Sequence, residues 1–168
     1  MTEHNENLFW LFSLDFYGEE EVAETLLTMQ DEYGCQVNMI LWCLWLGQQS
    51  HCLGEQEMKL ALEPIVAHQV RYLLPMRDLR RQLKCHPEVE LYQQAKALEL
   101  AMERWEQDRL YALSHELGVG RSDDGRRAAE ANVHLYMTCL HQDGATRTGS
   151  EAKLDALIKR LLEQLFRG

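Results

Sequence analysis

The chain has 168 residues, about the length of one domain, and at that size roughly 68–70% of the unfolded surface can be buried without disulfide or metal staples. Hydrophobic and charged fractions of 46% and 26% are those of an ordinary globular protein and exclude wholesale disorder. Three prolines and ten glycines are too little turn punctuation for a many-stranded sandwich or barrel, and a net charge of −10 opposes nonspecific attraction to nucleic acid or anionic lipid.

The charge is unevenly spread. Residues 1–58 hold eleven acidic and no basic side chains, 59–86 hold six basic and two acidic, and 87–168 hold eleven basic and fourteen acidic. The basic stretch is a candidate contact surface. Five cysteines, at 35, 43, 52, 85 and 139, have no dense spacing and no secretory signal before them, so reduced thiols in a cytoplasm are expected. The longest apolar run, Val37 to Leu46 broken only by Asn38, is half the ~20 residues of a membrane span. No membrane association is expected.

In chain order, residues 8–17 carry aromatic and leucine side chains all round and predict a short, mostly covered helix ending near Gly18. Glu19, Glu20 and Glu21 favour the first turn of a second helix, whose apolar positions Val22, Leu26, Met29 and Tyr33 lead to a stop at Gly34. The segment 37–47 is apolar on every face and predicts the central helix of a bundle. From Glu55 the periodicity is again helical, with a kink expected near Pro64 and a break or fresh start at Pro75.

The longest predicted helix spans about Pro87 to Leu117, with apolar positions Leu91, Ala95, Leu98, Met102, Trp105, Leu110, Leu113 and Leu117. The stretch GVGRSDDG reads as a loop in which Ser122, Asp123 or Asp124 caps a helix running through Ala129, Val133, Tyr136, Met137 and Leu140. After a second loop, QDGATRTGS, Ser150 caps a last helix with a regular leucine stripe. Together these predict one all-α domain over 1–168, a compact bundle of six or seven helices.

The segment 14–47, LDFYGEEEVAETLLTMQDEYGCQVNMILWCLWLG, resembles an uncharacterised family of small proteobacterial proteins, a domain of unknown function. That family joins an LDFY-like helix to a pattern of the form LQDxxGxDVNxxLFxxWLG. The matching residues are Leu14, Asp15, Tyr17, Gln30, Asp31, Gly34, Val37, Asn38, Leu41, Trp45, Leu46 and Gly47, with Met29 and Gln36 departing from the pattern. The resemblance is strong over about 8–50 and weak beyond. It implies an all-helical bacterial protein of that family and says nothing about activity.

Two candidate sites emerge. Gln30, Asp31 and Asn38 bracket a turn beside the most apolar segment and form a candidate ligand-binding cluster floored by Trp42 and Trp45. The structural alternative has Asn38 capping the third helix or tying down the turn, with Asp31 solvated. Arg77, Arg80, Arg81 and Lys84 recur at three and four residues and form a cationic stripe suited to an anionic ligand, RNA or an acidic protein surface, RNA being disfavoured because Tyr72 is the one aromatic nearby. The alternative is that these arginines neutralise the acidic N-terminal helices of the same molecule.

Glu19, Glu20, Glu21 and Glu24 read as a solvated helix start, and Asp123 with Asp124 as a cap. The pairs His51-Cys52 and Cys85-His86 and the Cys139-x-His141 spacing lack a CxxC unit, so no metal, cofactor or catalytic nucleophile is assigned. The favoured reading is a noncatalytic interaction or regulatory protein of the bacterial cytoplasm, acting through the arginine face or the aromatic N-terminal region. The alternative is a small-molecule binder or enzyme with its pocket around Asn38.

Overall fold

The computed structural model describes residues 6–142, 144 and 147–168. Residues 1–5 and most of the centre of the predicted QDGATRTGS loop lie outside the described residues. Eight α-helices follow in order: α1 Leu8–Tyr17, α2 Glu20–Tyr33, α3 Val37–Gln48, α4 Glu55–His68, α5 Leu74–Leu83, α6 Val89–Glu116, α7 Gly125–Gln142 and α8 Glu151–Leu165. A single π turn, Gln69–Leu73, joins α4 to α5, so these two form one rod and the described residues make seven rods in a compact all-α bundle.

Local chemistry explains the boundaries. The Asn7 side chain accepts from the Trp10 N–H and caps α1, and Ser150 does the same for α8 through Lys153. Gly34 ends α2 in the left-handed region at φ 68°, where a side chain would be strained. Asp124 accepts from the backbone N–H groups of Arg126 and Arg127 and caps α7. Pro75 falls in the first turn of α5, directly after the π turn.

The central position of α3 follows from its composition. Every residue from Met39 to Gly47 is buried, and its closest neighbour is α7. A Cβ on Gly47 would lie 2.1 Å from the Ala129 Cα, so the absence of a side chain lets the two backbones meet. Asn132 of α7 completes the junction: it accepts from the Leu53 N–H and donates to the carbonyls of Cys43 and His51.

Three expectations are corrected, and the segment around the prolines takes a specific form. The loop at 118–125 contains a two-residue strand, Gly120–Arg121 (β2), paired antiparallel with His51–Cys52 (β1). α4 continues as a helix through Pro64, and the fresh start expected at Pro75 follows a π turn at Gln69–Leu73. α1 is covered on one side only: Phe9, Ser13 and Phe16 face inward, while Leu8, Leu11 and Leu14 are exposed because α1 lies on the outside of α3 and α6. On α6, Leu98 and Trp105 are about half exposed, and Glu99 and Glu106 occupy the buried stripe in their place.

Candidate functional site

Along α6 the inward stripe at spacings of three, four and seven runs through Ala95, Glu99, Glu106, Leu110 and Leu113. Two carboxylates in an otherwise apolar stripe demand partners, because an unpaired buried charge costs several kcal/mol. Both are answered, in different ways.

Glu106 is fully buried. Its Oε2 accepts from Asn38 Nδ2 at 2.9 Å and from Gln69 Nε2 at 3.0 Å, and its Oε1 lies 2.9 Å from His68 Nδ1. Asn38 comes from the first turn of α3, His68 is the last residue of α4, and Gln69 opens the π turn. Neighbouring residues on a helix point about 100° apart, so the carboxylate sits between the His68 and Gln69 side chains. A second layer holds the first: Gln107 Nε2 donates to Asn38 Oδ1 at 2.8 Å and to Ser13 Oγ at 3.1 Å.

Burial pushes the Glu106 carboxyl above its ordinary 4.5, and the hydrogen bonds and charge of His68, with the bonds from Asn38 and Gln69, pull it back. With two N–H groups already on Oε2, any proton of the pair belongs between Oε1 and His68 Nδ1. Its position there decides whether the other ring nitrogen, Nε2, accepts or donates.

His68 is the contact between this buried network and the surface. Its ring stacks on Trp105, with centroids 4.4 Å apart and planes at 20°, and meets Tyr72 at 5.5 Å. With those two rings, Pro64, Ala67 and Arg71 it lines an open groove of about 500 Å³. The His68 side chain keeps 11% of its surface exposed and lines the groove, while its Nδ1 is held by Glu106. The arrangement is a carboxylate-oriented imidazole at the wall of an aromatic groove, able to hydrogen-bond or exchange a proton with a molecule placed there.

The residues singled out from sequence are distributed as follows. Asn38 enters the Glu106 network and caps no helix, the N-cap of α3 being Gln36; its side chain is drawn to the buried carboxylate of α6 instead. Asp31 is exposed and Gln30 half-buried on α2. Trp42 is fully buried, its indole N–H donating to Ser114 Oγ at 3.0 Å. Trp45 packs in the core against Phe9 and Tyr111. The two tryptophans therefore fill space beneath α1 and α6 rather than floor a cavity with Asn38.

The arginine stripe divides. Arg77 binds Glu99 at 3.1 Å and Glu103 at 2.7 Å, and Arg80 binds Glu99 as well. Arg81 is exposed with Asp78 beside it, and Lys84 is exposed. The carboxylates that neutralise this face come from α6 and not from the acidic N-terminal helices, because α5 folds back along α6. Burial raises the Cys35 thiol to about 12 and pushes the Cys43 thiol up as well; Cys139 is also buried and Cys85 is exposed. Among the described residues, no three His, Cys, Asp or Glu side chains converge where a metal ion could be held.

Sequence reading missed Ser13, His68, Gln69, Glu106 and Gln107. The signal was present: on α6 a glutamate stands in register with Ala95, Leu110 and Leu113, and His68 at the end of α4 and Gln69 at the start of the π turn continue the stripe of Ala61, Leu62 and Ile65.

The fold and this network define an all-helical protein with a buried carboxylate–imidazole pair facing a surface groove. The chain belongs to the family of proteins of unknown function DUF2390, whose pattern matches residues 8–110, well past the 8–50 span of the strongest sequence resemblance. The matched span contains every residue of the network. No curated protein and no solved structure matches the chain.

Proposed function

We propose that the groove beside His68 binds a small molecule, with the imidazole Nε2 as the group that hydrogen-bonds to it or exchanges a proton with it, in a protein of the bacterial cytoplasm. The observation that carries this reading is the fully buried Glu106, fixed by three side chains from two other helical rods and bonded to the one ring nitrogen that faces inward. A core glutamate serves no packing purpose that leucine would not serve better. Holding an imidazole in one orientation at a groove wall is a use that leucine cannot fill. Catalysis is not part of the proposal.

The test is a protein-observed NMR screen of a fragment library. Ligands should shift the signals of His68, Arg71 and Trp105, and His68→Ala should abolish most of those hits. Hits that all map elsewhere, or survive His68→Ala unchanged, would refute the reading.

A second reading, an interaction protein, is favoured by two exposed features: Arg81 and Lys84 at the end of α5, and the outward leucines 8, 11 and 14 of α1. Under it, Arg81→Gln with Lys84→Gln would leave the fold intact and lose a protein partner.

A further inference from the structure

We propose that the groove is selective for small molecules that combine a planar ring with an anionic group, the ring packing among Trp105, Tyr72 and His68 and the anion meeting Arg71. The inference rests on the groove reading above and adds the ligand's chemical class. Three observations carry it. The walls are aromatic, with Trp105 and Tyr72 both about half exposed although their rings are large and apolar. Flat rings are matched by flat partners, through offset stacking and edge contacts.

The second observation is charge. Among the described residues, Arg71 is the only lining residue with a permanent charge, and no carboxylate lines the groove. The third is availability. Arg77 and Arg80, six and nine residues further along, are both held by glutamates of α6, whereas among the described residues Arg71 has no carboxylate partner. Its guanidinium lies 5.5 Å from the Tyr72 ring centroid, so the cation and the aromatic surface are already side by side. The overall charge of −10 does not cancel this local attraction, because charges more than about 8 Å away are largely screened at physiological salt.

The probes are 2-naphthoate, the neutral 2-naphthalenemethanol and the cationic 2-naphthalenemethylamine, titrated into the intact protein while the Trp105 indole N–H signal is followed. Naphthoate should bind about fivefold more tightly than the alcohol, the scale of one exposed charge pair, and the amine should bind worst. Arg71→Gln, a change at an exposed residue, should erase the preference for naphthoate and leave alcohol binding unchanged. Equal affinity for all three probes, or a preference that survives Arg71→Gln, would overturn the anion assignment while leaving the groove reading in place. Failure of every probe to move Trp105 would overturn it too, and the fragment screen would then decide separately whether the groove takes any ligand.

Discussion

Glu106 titrates in a setting that couples stability to pH in a definite direction. Burial raises its pKa in the folded state above the ordinary 4.5, so the folded protein holds this proton more tightly than the unfolded chain. The stabilisation is fully present below about 4.5 and is lost as pH rises through the elevated folded value. Glu106→Gln removes the titration, so its stability relative to the parent protein should improve as pH rises from about 4.5 through the raised folded value and level off above it. Denaturant unfolding at matched pH values measures this. A difference that is flat, or that moves the other way, would show that the carboxyl is not held in a desolvated environment. Glu106 was legible in principle, since a charged residue in register with an apolar stripe is anomalous. Its partners were not, because Asn38 and His68 lie 68 and 38 positions away and only the fold brings them together.

At the scale of elements, two junctions set the geometry. α5 is fastened to α6 by Arg77 and Arg80 gripping Glu99 and Glu103. Arg77→Gln combined with Arg80→Gln strands the largely buried Glu99 and should destabilise the protein by about 1.5–3 kcal/mol, the range for hydrogen bonds to a charged group. Arg81→Gln, at an exposed residue beside Asp78, should change stability by less than about 1 kcal/mol. Thermal or chemical melts of the two variants separate a structural clamp from a free cationic face. At the second junction Gly47→Ala places a methyl against the α7 backbone and should destabilise by about 1–3 kcal/mol or more, as overpacking does. An unchanged midpoint would mean that α3 and α7 are not in close contact. The helices themselves were readable from apolar spacing, caps and the Gly34 stop. The cationic spacing on α5 was readable too, yet the identity of its counter-ions depends on α5 turning back along α6, which no local pattern encodes.

For the whole molecule, the family-matched span of 8–110 carries the complete Glu106 network, while the opposite side of α3 rests on α7. A chain ending near residue 118 would expose that face and leave Leu53 N–H and the Cys43 and His51 carbonyls without Asn132. It should lack a cooperative thermal transition by circular dichroism; a cooperative melt would show that the site-bearing part folds unaided. The bundle thus uses its C-terminal helices to support α3 and its middle helices to build the network, with α1 contributing Ser13 from outside. Helical class and the central place of 37–47 follow from apolar periodicity, but the groove exists only where the α4–α5 rod crosses α6.

The most direct test of a Glu106-oriented His68 is the imidazole ¹⁵N spectrum at neutral pH. In the parent protein the proton should sit on Nδ1, donated to Glu106, with Nε2 unprotonated towards the groove. In Glu106→Gln the amide oxygen must stay with the Asn38 and Gln69 donors, Asn38 being held by Gln107, so the amide N–H₂ faces Nδ1 and the proton should move to Nε2. A reversal of tautomer between the two proteins is the predicted result. The same tautomer in both, or Nε2–H in the parent, would contradict it.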